Sequence, residues 1–242
     1  RDAQESRGLG DVYKRQYGFY MMPVVDSEYR MLGVIEIDDV MDVMEEETTE
    51  DINLMAGMSG EERVDSTVLE SAKSRIPWLI VNLFTAVMAA AVVANFESTI
   101  AKVVSLSSVM SIVTGMGGNA GTQSLTILCR GLSLGEVDKD NAFQIFCKEI
   151  TVGLLSGIVI GIIVAFGAWW FASNPWFGLV AGLAMILNML AANIAGYLVP
   201  VILKRLNIDP ALASGVFVTT VTDCMGFFFF LGLATLFLPL LI

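Results

Sequence analysis

Residues 150–203 read ITVGLLSGIVIGIIVAFGAWWFASNPWFGLVAGLAMILNMLAANIAGYLVPVIL, a run of 54 positions without a charged side chain. A helix that crosses a bilayer needs about 20 apolar residues, so this run is too long for one crossing and suits two. The segment SNPWFG at 173–178 interrupts it with residues that favour turns and helix starts. The run therefore predicts two membrane helices, over about 150–172 and 176–203.

Three further stretches are long enough to cross a membrane and carry at most one charged side chain. Residues 76–96 and 103–129 carry no charge, and residues 210–242 carry only Asp223. We therefore expect an all-α integral membrane protein with five transmembrane helices, the other three over about 76–96, 103–129 and 210–240. The composition agrees with this class, because 55% of the residues are hydrophobic, only 16% are charged, and the mean hydropathy is +0.68.

The charged residues predict an orientation, because basic side chains are enriched in cytoplasmic loops. We expect a protein of the cell (plasma) membrane with a cytoplasmic N-terminus and an extracytoplasmic C-terminus. In this orientation Lys102 is the only basic residue after residue 72 that lies outside the cell. The basic residues that then lie inside are Lys73, Arg75, Arg130, Lys139, Lys148, Lys204 and Arg205. Residues 1–72 hold 18 acidic and 6 basic side chains, against 7 and 8 in residues 73–242. So acidic a region attracts cations and excludes nucleic acid as a partner.

The region before the membrane helices begins as a small α/β unit. The pattern predicts a strand at 22–25, a polar turn, a second strand at 32–37 and a helix that begins at Asp38 or Asp39. Residues 48–72 are polar with scattered apolar positions, as in a cytosolic connecting helix. Residues 1–16 fit no pattern connected with the rest of the chain, and no initiator Met is present, so we expect a fragment whose first residues are foreign or misread.

The stretch TTVTDCMG at 219–226 places Asp223 within the last predicted span. A carboxylate at membrane depth costs a few kcal/mol, roughly 3, unless a partner, a cavity or an ion compensates it. No basic residue lies in the spans, so the alternatives are a protonated structural acid and a cation site, of which we favour the second. A symmetric dimer would place two such carboxylates around one axis.

Magnesium suits so sparse a site, since it keeps much of its water and binds one or two carboxylates. The side chains of Asn119, Gln123, Thr219 and Thr220 could then hydrogen-bond to the hydration shell. The chain has no histidine, and its cysteines, Cys129, Cys147 and Cys224, have no CxxC spacing. Zinc, haem and disulfide frameworks are therefore unsupported, and reduced thiols are expected.

The second predicted span contains MSIVTGMGGNAGTQSLTIL, with glycines at 115, 117, 118 and 121. One interpretation is helix packing, for which Gly117 and Gly121 have the usual spacing. The other is the lining of an ion pathway, which we favour because amide side chains accompany these glycines. Glycines 153, 157 and 161 of the third span have only small or apolar neighbours, a pattern typical of packing alone.

The segment EIDDVMDVMEEETTED at 36–51 has nine acidic side chains in sixteen positions and no basic one. Such a run is usually only a solvated helix face. Here apolar residues alternate with the acids, which favours a structured helix whose carboxylates repel one another unless cations neutralise them. The run is therefore a candidate sensor of cytosolic divalent ions.

The segments GMGGNAGTQ, GLSLGE, LKRLNIDPALASG and FVTTVTDCMGF, in this order, resemble the MgtE family of magnesium transporters. By this resemblance, residues 17–51 correspond to the end of the second CBS domain, 52–72 to the connecting or plug helix, and 73–242 to the five-helix transmembrane domain. The family usually has proline where this chain has Ser111, and its acidic N-terminal domain and first CBS motif have no counterpart here.

The resemblance implies a homodimer in which the second and fifth membrane helices form an Mg²⁺ pore. Asp223 then corresponds to the pore aspartate, and Asn119, Gly115 and Gly118 lie in the pore-lining segment. It also implies acidic positions at which cytosolic Mg²⁺ holds the pore closed, namely Asp39, Asp42, Glu47, Glu50 and Asp51.

Three alternatives differ from an Mg²⁺ channel. The ion could be Co²⁺, Mn²⁺ or Ni²⁺, or the protein could sense Mg²⁺ without conducting it. An intramembrane aspartyl protease would need two carboxylates that share a proton, and the predicted spans contain only Asp223, so we do not expect an enzyme.

Overall fold

A computed structural model describes residues 20–58, 62, 64–138 and 140–242 of the chain. The unassigned residues 1–16 and the predicted cytoplasmic Lys139 lie outside the described residues. The chain divides into two compact units, one that ends at Glu50 and one that begins at Asp51.

The first unit confirms the predicted order of strand, turn, strand and helix. Strand β1, Met21–Val25, pairs antiparallel with β2, Met31–Glu36, and helix α1 follows over Ile37–Met55. Asp26 closes the turn, because its carboxylate accepts the backbone N–H groups of Glu28 and Arg30 at 2.8 and 2.9 Å. These hydrogen bonds from Arg30 and Glu28 hold the pKa of Asp26 below its ordinary value.

The second unit is helical throughout its described residues, apart from short connections. Its elements are α2 (Val68–Ala94), α3 (Glu97–Lys102), α4 (Leu106–Ser133), α5 (Ala142–Ala172), α6 (Pro175–Arg205), a 3-10 turn (Pro210–Ala213), α7 (Ser214–Leu236) and α8 (Leu238–Leu241).

Four of these helices, α2, α5, α6 and α7, are long and apolar enough to cross a membrane. The sequence predicts five such helices. Its additional span, over 103–129, corresponds to α4, which has 28 residues but is not among the four. The difference arises from the many Ser, Thr, Gly, Asn and Gln residues of α4, which lower its apolarity without breaking the helix.

The segment between residues 52 and 72, where the sequence predicts a connecting helix, is divided in the structure. Helix α1 ends at Met55, Gly57 adopts a positive φ of 75°, and α2 begins only at Val68. The carboxylate of Glu70 accepts hydrogen bonds from the N–H and the hydroxyl of Thr67 at 2.9 and 2.8 Å, which fixes the start of α2.

Glu62 connects the end of α1 with the start of α2. Asn53 Nδ2 donates to the Glu62 carbonyl at 3.1 Å, and Arg75 Nε donates to the Glu62 carboxylate at 2.8 Å. The Arg75 guanidinium holds the pKa of Glu62 below its ordinary value of 4.5. The end of α1 and the start of α2 are therefore tied through one carboxylate.

Helices α5 and α6 form a tight antiparallel hairpin at the interruption that the sequence indicates. Ser173 ends α5 in the left-handed region, with φ of 53°, and Pro175 opens α6. The Asn174 side chain accepts the N–H of Trp176 at 2.9 Å, as an N-cap residue does.

Glycines allow α5 and α6 to approach each other closely. A Cβ at Gly153 would lie 3.0 Å from Asn193, and one at Gly161 would lie 2.9 Å from the carbonyl oxygen of Gly182. The glycine repeat of the third predicted span therefore serves helix packing, as its apolar surroundings indicate.

Helix α6 forms the centre of the unit. Helices α4, α5 and α7 all pack on α6, whereas α4 and α5 scarcely touch one another. The main core contains Val113 of α4, Phe177 and Met185 of α6, and Phe230 and Leu231 of α7, all nearly inaccessible. Helix α2 contacts α7 and is otherwise largely exposed.

Candidate ion pathway

The glycines of α4 divide between two faces of the helix. Gly117 and Gly121 are buried: a Cβ at Gly117 would collide with the Asn188 side chain, and one at Gly121 would lie 2.5 Å from Val218. A Cβ at Gly115, by contrast, would meet no atom within 4 Å. Gly117 and Gly121 thus allow close packing, and Gly115 leaves open space on the other side.

The open side of α4 is polar. Residues that recur every three or four positions lie on one side of a helix, and six such residues are exposed: Ser111, Gly115, Asn119, Thr122, Gln123 and Thr126. We call this set the polar face of α4. Ile112 and Ile127 flank it and are also exposed.

Gly118 brings the polar face of α4 next to α7. A Cβ at Gly118 would lie 3.7 Å from Thr219 Cγ2 and 3.8 Å from Thr222 Oγ1. Asp223 follows Thr219 by one helical turn and Thr222 by one residue, and its side chain is half-buried. The structure therefore brings Gly118 and Thr219 together, with Asp223 close by on the same helix.

No partner for Asp223 is found among the residues that the structure describes. None of them donates a hydrogen bond to its carboxylate or forms an ion pair with it, and none combines with it in a group of three or more His, Cys, Asp or Glu side chains suited to a metal. Thr219 and Thr220 both donate their hydroxyls to the Val216 carbonyl, at 3.1 and 2.6 Å. Their oxygens thus remain available as acceptors.

Asn188 of α6 lies behind the glycines of α4 and was not singled out by the sequence. It is completely buried, and its Nδ2 donates to the Val113 carbonyl at 2.8 Å. A Cβ at Gly226 of α7 would lie 2.8 Å from the same Nδ2, so this amide fills the crossing of α4, α6 and α7. Its Oδ1 is the one buried side-chain N or O atom without a hydrogen bond among the described residues.

A cleft opens where α4 and α5 diverge above α6. Its volume is about 390 Å³. Asn119 and Gln123, at the edge of the polar face of α4, line it together with Glu149 of α5 and Asn193 of α6. Glu149 directly precedes the charge-free run at 150–203 and therefore lies one residue outside the predicted span. Neither Thr219, Thr220 nor Asp223 lines this cleft.

The acidic candidates of α1 are spread along the helix. Asp42, Glu47 and Glu50 are exposed, and Asp51 is half-buried. Asp39 is exposed and accepts the N–H of Glu36 at 2.7 Å, which supports the start of α1. Within the described residues they form no group suited by itself to hold a metal ion.

The three cysteines are all free, as the sequence indicates. Cys129 is buried, Cys224 is half-buried, and Cys147 is exposed on α5. None belongs to a cluster of potential metal ligands among the residues that the structure covers.

Comparison with known proteins identifies relatives that cover nearly all of the chain. The MgtE family model, described as a divalent cation transporter, matches residues 110–233. The magnesium transporter MgtE of Enterococcus faecalis is 36% identical over 226 residues, 93% of this chain and 49% of the relative. Proteins of the same name from Bacillus subtilis and Thermus thermophilus are 32% and 34% identical over 92% of this chain, and 49% and 50% of their own lengths. The chain spans about half the length of these relatives.

Proposed function

The chain belongs to the MgtE family of divalent cation transporters, and we propose that it carries Mg²⁺ across the cell membrane through a pathway formed by two copies of the chain. The observation that carries this proposal is the polar face of α4. Six exposed residues with polar or minimal side chains line one side of α4, which packs against α6 and α7, two helices that are apolar enough to cross a membrane.

Such a face is unsuited to contact with lipid. Polar side chains in hydrocarbon without partners are costly, so they generally face protein or a water-filled cavity. At 28 residues, α4 is about 42 Å long and could span the hydrocarbon core of about 30 Å. We propose that α4 is a fifth transmembrane helix, whose polar face meets water and a second copy.

Asp223 supplies the charge in this proposal. In a homodimer with α4 and α7 at the shared axis, two Asp223 carboxylates would face one another across the pathway. A bound cation would offset the desolvation cost of both carboxylates, and the two charges of a divalent ion would balance the two carboxylates.

The groups around Asp223 suit an ion that keeps its water. The amides of Asn119 and Gln123 and the hydroxyl oxygens of Thr219 and Thr220 can bond to a hydration shell. Gly115 and Gly118 leave room for one. We propose Asp223 and Asn119 as the pore site, with the other five residues as its lining.

For regulation, we propose that cytosolic Mg²⁺ binds the acidic residues of α1 (Asp39, Asp42, Glu47, Glu50 and Asp51) and closes the pathway. In this view residues 17–51 are the end of a CBS domain, and loss of Mg²⁺ would leave the carboxylates repelling one another. Four of the five are exposed, which supports access for ions. The N-terminus is then cytoplasmic and the C-terminus extracytoplasmic.

The test is Mg²⁺ uptake into liposomes that contain the wild type or Asp223→Asn. Asparagine keeps the size of the side chain and removes the charge, so we expect uptake to fall by at least tenfold. Glu97→Gln, which neutralises an exposed acid of α3, is the matched control and should conduct normally. Equal uptake by Asp223→Asn and wild type would refute the proposal.

The same preparation separates the alternatives. A sensor that does not conduct would bind Mg²⁺ while wild-type liposomes show no uptake at all. Competition of Co²⁺, Mn²⁺ and Ni²⁺ with Mg²⁺ uptake would rank the ions.

A further inference from the structure

We propose that the cleft between α4, α5 and α6 is a second cation site, in which Glu149 supplies the negative charge and side-chain oxygens of the cleft bind the water shell of a divalent ion. The inference deepens the proposed function and rests on it only for the valence of the ion. It goes beyond it because Glu149 is its charged group and Asp223 has no part in the site, although the cleft shares Asn119 and Gln123 with the proposed pathway.

The cleft is a consequence of how the helices pack. Helices α4 and α5 both lie against α6 but scarcely touch each other, so α6 forms a floor between two walls. Met189 and Asn193 lie on this floor. Gly153 allows α5 to sit close to Asn193, since a Cβ there would lie 3.0 Å from that side chain.

Glu149 is a buried carboxylate in the wall of this cleft. The residue is only 6% exposed, and its Oε2 accepts the hydroxyl of Ser124 at 2.7 Å, where Ser124 is itself 3% exposed. Its Oε1 has no hydrogen-bond donor among the described residues, and none of them forms an ion pair with it. A carboxylate in a buried wall, with one oxygen that opens onto the cleft and has no donor, is a strong acceptor for a cation or its water.

Two other polar side chains of the cleft already donate to backbone carbonyls. Asn193 Nδ2 donates to the Met189 carbonyl at 2.9 Å, and Ser156 Oγ donates to the Val152 carbonyl at 2.7 Å. Both side-chain oxygens keep lone pairs for the cleft, and the Asn193 amide also retains a second N–H. Asn119 and Gln123 add two amides whose oxygens can turn inward. Hard oxygen acceptors of this kind bind Mg²⁺ and similar ions, directly or through water.

The volume also fits a hydrated ion. Six waters of about 30 Å³ each occupy roughly 180 Å³, and the cleft measures about 390 Å³. Lys148 is the one basic residue lining it and is exposed, so its ammonium can extend to water while Glu149 stays within. The buried charge of the cleft is therefore negative.

Mn²⁺ is a suitable probe, because it prefers the same oxygen ligands and broadens nearby nuclear resonances. A trifluoromethyl tag on exposed Cys147, two residues before Glu149, reports on the cleft, with Cys224→Ser to prevent a second label. The full chain is placed in nanodiscs of phosphatidylcholine. The measured quantity is the Mn²⁺ concentration that halves the fluorine signal.

We expect Glu149→Gln to raise this concentration by at least tenfold, while its amide still accepts the Ser124 hydroxyl and preserves the fold. Lys148→Gln should lower it severalfold, because a repelling charge is removed. Asp140→Asn, an exposed acid at the start of the same region, and Asp223→Asn should each change it by less than twofold. If Glu149→Gln aggregates, Ser156→Ala, which removes a cleft oxygen outside the proposed pathway, should still raise it severalfold.

Four results would overturn the inference. In the first, Glu149→Gln titrates like wild type. In the second, Asp140→Asn raises the Mn²⁺ concentration as much as Glu149→Gln does, which would indicate attraction to the surface charge only. In the third, Asp223→Asn has that effect, which would make the cleft part of the proposed pore. A weakening by Lys148→Gln alone would indicate an anionic occupant such as a lipid phosphate. Failure of the Asp223 pathway is measured separately, as uptake into liposomes.

Discussion

The glycines of α4 allow a test of the helix crossing that does not depend on function. Gly117→Ala places a methyl group against the Asn188 side chain. Asn188 cannot easily move away, since it is completely buried, its Nδ2 donates to the Val113 carbonyl at 2.8 Å, and Gly226 leaves no space on its other side. Gly115→Ala, half a turn away, adds the same methyl group where no atom lies within 4 Å.

The two substitutions should therefore shift the free energy of unfolding in opposite directions. Overpacking a tight contact costs about 1–3 kcal/mol, and loss of the Asn188 hydrogen bond costs about 0.5–1.5 kcal/mol. Alanine in place of glycine within a helix stabilises the folded state by about 0.5–1 kcal/mol. Gly117→Ala should thus destabilise by about 1–3.5 kcal/mol, and Gly115→Ala should stabilise by about 0.5–1 kcal/mol.

The measurement is equilibrium unfolding in mixed detergent micelles, with both variants and wild type in the same series. Gly118→Ala is an informative third variant, because its methyl group would lie 3.7 Å from Thr219, an ordinary contact, and should leave stability unchanged or slightly raised. If Gly117→Ala proves as stable as Gly115→Ala, then α4 and α6 do not cross at Asn188 as described.

Three other predictions concern the ends of helices and the acidic segment. Asp42→Asn combined with Glu47→Gln should raise severalfold the cytosolic Mg²⁺ concentration that halves uptake, and an unchanged dose response would mean that these acids are only solvated. Glu62→Gln should lower stability at neutral pH, because the lowered pKa of the wild-type carboxyl stabilises the folded state above its ordinary 4.5. The difference from wild type should vanish as the pH falls through the lowered pKa, and a difference that persists in acid would exclude the ion pair with Arg75 as its cause. Asn174→Ala should cost about 1 kcal/mol through loss of the N-cap, seen as a lower thermal midpoint than that of an exposed control, Ser107→Ala.

The features that the sequence predicts well are those with local causes. The antiparallel strands and the helix after them are encoded by alternation, a polar turn and acidic residues at the helix start. The interruption between α5 and α6 follows from Asn174 and Pro175 directly. Likewise, the four apolar helices can be recognised by length and composition.

The features that the sequence did not reveal depend on contacts between distant segments. A lone asparagine such as Asn188 in an apolar run could face any neighbour, and only the crossing of three helices gives it a role. Glu149 lies one residue outside a predicted span, and nothing local marks it, because the cleft around it is created by the separation of α4 and α5. For the site, Asp223 and the glycine segment stand out in the sequence, but the division of the glycines between two faces required the packing.

The hairpin of α5 and α6 also bears on how the protein assembles. Its two helices are adjacent in the chain, joined by a short turn and fitted by glycines, so their contacts close small loops and can form early. Helix α7 reaches Gly118 only from about a hundred residues further along the chain. We therefore expect the contact of Gly118 with Thr219 to form late, after the hairpin of α5 and α6. A chain stopped before that step would have the α5–α6 contact but not the contact of α4 with α7 along which ions are proposed to pass.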